Sequence, residues 1–129
     1  MMVAAGSATD ARLRRDYRLS NKGDFTLVFR RSQRSSDALF VVLARRGGAD
    51  CARLGMAISL KATGRAVSRN RIKRLVRESF RQHRADLPSL DVVVMARPGV
   101  ARESSARIAA SLATHWNRIA RQCAESSSH

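Results

Sequence analysis

The stretch from Arg65 to Arg84 constrains this chain more than any other: seven arginines and Lys73 face a single acid, Glu78, yet apolar residues recur at helical spacing. At 100° per residue, Ile72, Leu75, Val76, Ser79 and Phe80 gather on one side, where they can seal against a sheet. Asn70, Arg74, Arg77, Arg81 and Arg84 fall within about 80° of one another on a different side, with Lys73 bordering them and Arg71 on the other flank. The pattern predicts a helix over Ala66–Arg84 with an anchored back and a guanidinium ridge. A merely solvated face would need acids three or four residues away to offset the repulsion. Glu78 reaches only Arg74, Arg81 and at most one more. The imbalance points to an anionic partner, and arginine's planar fork both grips phosphate and stacks on bases.

The whole chain carries the same bias. Its 129 residues suit one domain, and 25 lysines and arginines (22 of them arginine) against 10 acids give a formal charge of +15. A folded domain this lopsided repels itself unless a polyanion is nearby, and nucleic acid is the commonest one. Charge alone does not separate DNA from RNA, or either from an anionic membrane surface. No apolar run approaches the ~20 residues of a bilayer span. Met1 to Asp10 has neither the basic flank nor the apolar stretch of a signal peptide. Cys51 and Cys123 stand far apart, with no CxxC and no neighbouring histidine, which argues against both a disulfide framework and a zinc site. A cytoplasmic protein with idle thiols is expected.

Residues 1–11 and 124–129 read as disordered tails around one domain over 12–123. Ser20 is placed to cap a short helix over Asn21–Arg30, on which Phe25, Val28 and Phe29 recur at helical spacing. Ala38–Ala44 is a run of strand formers, followed by a turn at Arg45-Arg46-Gly47-Gly48. Arg53–Leu60 alternates as a second strand, Lys61–Gly64 is a loop, and Val92–Ala96 is a third strand. Ile108, Leu112, Trp116 and Ile119 mark one face of a last helix, Arg102–Cys123. The order α-β-β-α-β-α predicts an α+β fold, with helices layered on a small sheet.

Two further features bear on chemistry. Phe25, Phe29 and Phe40 lie close to Arg30, Arg31 and Arg34, so they read either as core rings or as a platform on which bases stack beside held phosphates. The sequence carries no glycine-rich phosphate loop, no G-x-S-x-G and no carboxylates spaced for two metal ions. His83 and His115 have no carboxylate or cysteine at metal spacing, and His83, near the helix end, suits a dipole-facing or solvent role. No catalytic or metal-ligating residue is assigned.

Gly55-Met-Ala-Ile-Ser59, Lys61 and Arg65-Ala-Val-Ser-Arg-Asn-Arg-Ile-Lys-Arg74, continuing through Leu75-Val-Arg-Glu-Ser-Phe-Arg81, resemble the signature of the bacterial ribonuclease P protein component. Arg18-Leu19 and Phe25-Thr-Leu-Val-Phe29 resemble that family's first helix. Leu87-Pro88, Asp91-Val-Val-Val-Met-Ala-Arg97 and Gly99 resemble its last strand. Coverage runs from about Tyr17 to Arg121, and the Arg69-to-Arg74 motif in this element order is specific.

The resemblance implies the protein subunit of a ribonucleoprotein endonuclease that removes the 5′ leader from precursor tRNA, with hydrolysis performed by a catalytic RNA. Magnesium would be held mainly by that RNA and the substrate. It implies partners in the catalytic RNA and precursor tRNA, with no membrane and no obligate protein partner. Lys61, Arg65, Arg69, Asn70, Arg71, Lys73, Arg74, Arg77 and Arg81 match the RNA-facing motif, while Phe25, Phe29 and Phe40 match the cleft that takes the single-stranded leader. The implied fold is a two-layer α-β sandwich: a mainly antiparallel four-stranded sheet, three helices and a left-handed β-α-β crossover. Its extra short strand would lie within Arg31–Ser36. Leu60 departs from the pattern, standing where many relatives carry a lysine. The composition alone fits a ribosomal or other structural RNA-binding protein equally well. A DNA-compacting protein fits less well, because no groove-reading motif is present.

Overall fold

A computed structural model describes residues 32–46 and 51–127, and side chains as far as 123. The helix expected over Asn21–Arg30, with Phe25 and Phe29, lies outside the described residues. Four strands form one sheet: β1 (Gln33–Ser36), β2 (Phe40–Arg46), β3 (Arg53–Ala57) and β4 (Leu90–Ala96), ordered β1-β2-β4-β3. The β1–β2 and β2–β4 pairs are antiparallel, and β3 runs parallel to β4. A parallel pair needs a long crossover, supplied here by α1 (Leu60–Thr63) and the basic helix α2 (Ala66–His83). The long C-terminal helix α3 (Ser105–Ser127) completes the order. The result is the expected mixed α+β sheet with helices.

Boundaries moved where local chemistry intervened. The second expected strand stops at Ala57 because Ser59 starts a helical turn, its Oγ accepting from the Ala62 amide at 3.1 Å. Gly64 ends that turn at φ +88°, a conformation glycine adopts without strain, and the chain re-enters helix at α2. The expected loop is therefore α1. The short strand near Arg31–Ser36 is β1, and α3 runs to Ser127, into the stretch read as a tail.

Strand alternation divides the sheet's side chains between two faces. Phe40, Val42, Ala44, Leu54, Leu90, Val92 and Val94 join Ile72, Val76 and Phe80 of α2 and Ile108, Leu112, Trp116 and Ile119 of α3 in the main core. Val41, Leu43 and Val93, with Met95 against them, cluster on the other face. That face also holds Asp91, which is buried and receives two hydrogen bonds from the Arg53 guanidinium across β3–β4, at 2.9 and 3.0 Å. The α2–α3 contact is fixed in direction as well as packed. Trp116 meets Phe80 edge-on, with centroids 5.7 Å apart, and its Nε1–H donates to Ser79 Oγ at 2.8 Å.

A polar pin joins the β1–β2 turn to α3. Asp37 Oδ1 accepts from the amides of Leu39 and Phe40, and Ser111 Oγ donates to Oδ2. Fully buried His115 places Nδ1 2.6 Å from Ser35 Oγ and Nε2 3.2 Å from Asp37 Oδ1. Burial holds the His115 imidazole below its ordinary value of 6.5, more strongly than Asp37 raises it, and Arg118 adds to the lowering. Burial would raise Asp37, but Ser111, the two amides and His115 together hold it far below its ordinary 3.8. Both groups make the unfolded chain bind more protons. Stability is thus complete above the unfolded value of each group and is lost as pH falls, His115 acting first below 6.5 and Asp37 below 3.8. Denaturant unfolding across pH should show this acid limb. In His115→Gln the slope just below pH 6.5 should flatten, whatever the overall loss of stability. An unchanged slope would show that His115 does not set it.

Candidate nucleic-acid interface

Helix α2 presents its charges because its back is committed elsewhere. Ile72, Val76, Ser79 and Phe80 are buried, and half-buried Leu75 packs against the core. That fixes the helix rotation, leaving Asn70 and Arg74 exposed and Arg77, Arg81 and Arg84 half-buried. Lys61 on α1 and Arg65 at the head of α2 are exposed, while Arg69, Arg71 and Lys73 are half-buried. The first turn of α2 has no acidic residue and no side-chain cap, so the positive helix end adds to the field of Arg65 and Arg69 rather than cancelling it. Lys73 registers that field. Burial lowers its ammonium from the ordinary 10.5, and repulsion from Arg69 and Arg77 lowers it further. A phosphate beside these groups would relieve the repulsion.

Not every cation of the motif is equally available. Arg71 turns to the protein: Nη1 donates to the Ala101 carbonyl at 3.3 Å, and Nη2 to the Glu103 carbonyl and Ser105 Oγ, both at 3.1 Å. It fastens α2 to the turn before α3, a positioning task that the residue pattern did not reveal. Arg81 forms an ion pair with Glu78, which that pair holds below its ordinary value despite partial burial. His83, expected near the helix end, donates from Nδ1 to the Ser79 carbonyl at 2.8 Å.

Phe40, expected in the leader cleft, lies in the core instead. It is fully buried in the main core and shares the helix-facing side of β2 with Val42 and Ala44. A ring with no accessible surface has no face on which a base can stack. Period-two alternation decides this, and the phase is visible only once the β2–β4 register is known.

The sequence model of the ribonuclease P family matches residues 13–120. The chain belongs to the ribonuclease P protein family. It is 50% identical to the ribonuclease P protein component of Thioalkalivibrio sulfidiphilus over 91% of this chain and 98% of that one. Against that of Methylococcus capsulatus it is 46% identical over 88% and 89%. Among solved structures, the Staphylococcus aureus RNase P protein superposes with a TM-score of 0.73 at 33% identity, covering 81% of this chain and 94% of that one. The Thermotoga maritima RNase P protein gives 0.71 at 34% identity, covering 79% and 96%. Membership makes the chain a ribonuclease P protein component, a participant in tRNA 5′ processing by an endoribonuclease complex with an RNA partner.

Among the described residues no group of three or more His, Cys, Asp or Glu side chains is placed to hold a metal ion. Nor is any described helix long and apolar enough to cross a membrane.

Proposed function

We propose that this chain binds the catalytic RNA of ribonuclease P through the ridge of α2 and assists removal of the 5′ leader from precursor tRNA. The observation that carries the reading is the rotation of α2: its apolar side is sealed in the core, so Asn70, Arg74 and Arg77 stand along one line with Lys61, Arg65 and Arg69 at its head. Phosphates of a folded RNA are the fitting counterpart, and guanidinium groups meet them with two parallel hydrogen bonds. Phe25 and Phe29 would hold leader bases. Phosphodiester hydrolysis needs a deprotonated water and a stabilised leaving oxygen, work that magnesium ions do when held in fixed geometry. On this reading the protein's part is to bind and orient the RNA. The ions belong mainly to the catalytic RNA and substrate, in the cytoplasm.

The test is reconstitution. Purified protein alone, in magnesium, should leave precursor tRNA intact, while protein added to the catalytic RNA should promote leader removal. His83→Ala and His115→Ala should leave the chemical step of the assembled complex within about 1 kcal/mol of the parent barrier, that is, within roughly sixfold in rate. Leader cleavage by nuclease-free protein, abolished in one of these variants, would move the chemistry into the protein. A chain that co-purifies with ribosomes and has no effect on precursor processing would instead be a structural RNA-binding protein.

A further inference from the structure

Isolated apolar residues on a surface are ordinary, because a folded chain has too little polar surface to cover itself. Their placement here is not scattered. Among the described residues just two large hydrophobic side chains are exposed, Leu60 at 47% and Val67 at 80%. Both flank the Gly64 turn, where α1 gives way to α2, at the head of the basic ridge. Helical spacing sets Val67 in line with that ridge: Asn70 lies three residues on and Arg74 seven, both exposed. Exposed Lys61 and Arg65 sit between the two apolar residues in the chain. Local stability does not account for Val67, since a β-branched residue on an exposed helical position is a poor helix former. Solubility does not account for it either.

A nucleotide offers two kinds of surface, an anionic phosphate and the apolar faces of base and ribose. We infer that Leu60 and Val67 form an apolar contact for an unstacked nucleotide of the catalytic RNA, in a loop, bulge or helix end, while Lys61, Arg65 and Arg74 hold the flanking phosphates. The charge of the surround selects the occupant. Only a polyanion is drawn to this corner, and a base in a loop or bulge, unlike one stacked inside a duplex, can meet a side chain face to face. The inference rests on the proposed function and adds the non-ionic part of the same contact.

Salt dependence separates the two parts. Removing a cation that holds a phosphate shrinks the slope of log K against log salt, whereas removing an apolar side chain releases no counterions and leaves the slope alone. Full-length Leu60→Ser, Val67→Ser and the double variant should each be titrated against the catalytic RNA over a range of monovalent salt, with thermal melts to confirm folding. Each single variant should raise Kd by about 3- to 10-fold, the scale of one partly buried aliphatic side chain, with the slope unchanged. Val67→Ile should keep parent affinity. Parent protein that binds while the serine variants bind equally well overturns this inference alone, and so does a reduced slope in the serine variants. Parent protein that binds the catalytic RNA no better than an unrelated RNA of the same length overturns the proposed function and this contact with it.

Discussion

Replacing Trp116 with alanine is expected to lower the unfolding free energy by about 3–5 kcal/mol, the range for deleting a large buried ring. Trp116 is 1% exposed, meets Phe80 edge-on and spends its indole N–H on Ser79 of the basic helix. A domain of this size has only about 5–15 kcal/mol in hand, so the loss should be visible as a large shift in denaturation midpoint. Trp116→Phe separates the two roles. It keeps most of the apolar packing but leaves the buried Ser79 hydroxyl without its donor, at a cost of about 1–3 kcal/mol. Both are read by chemical denaturation. A loss below about 1 kcal/mol for the alanine variant would mean that the α2–α3 packing is not what fixes the basic helix.

The second large effect concerns the ridge itself. In the double variant Arg74→Ala, Arg77→Ala, the slope of log K against log salt for the catalytic RNA should shrink by about 0.7–0.9 for each phosphate no longer neutralised, and affinity at low salt should fall with it. Neither arginine supports the core, so the melting temperature should move little. Arg81→Ala should change the slope less, because its guanidinium is already bound to Glu78. Arg71→Ala should act differently again, lowering stability by releasing the turn before α3 that its three hydrogen bonds hold. An unchanged slope in the double variant would reduce the ridge to a solvated face.

These contrasts among arginines mark where sequence reasoning ran out. All seven between Arg65 and Arg84 look alike in the sequence, and helical spacing separated only the ridge from its flanks. That Arg71 is consumed by Ala101, Glu103 and Ser105, some thirty residues away, depends on where β4 returns the chain. Phe40 was ambiguous for a related reason. A short run of strand formers buried on both faces has no polar alternation to mark which residues face the helices. The pin of Ser35, Asp37 and His115 was invisible in the same way, since its members lie up to eighty residues apart.

The sequence by itself determined the basic helix, its sealed and charged sides, the strand-forming segments and the family motif, because each of these is a local pattern of period, propensity or residue order. Tertiary structure alone decided which cations face outward with open charge, which side of β2 holds Phe40, and that α1 and Gly64 set Leu60 and Val67 at the head of the ridge. The physical reason is range. Helical and strand periodicity act over one or two turns of chain, whereas ion pairing, burial and the fate of a hydrogen-bond donor depend on atoms brought near by residues far apart in sequence.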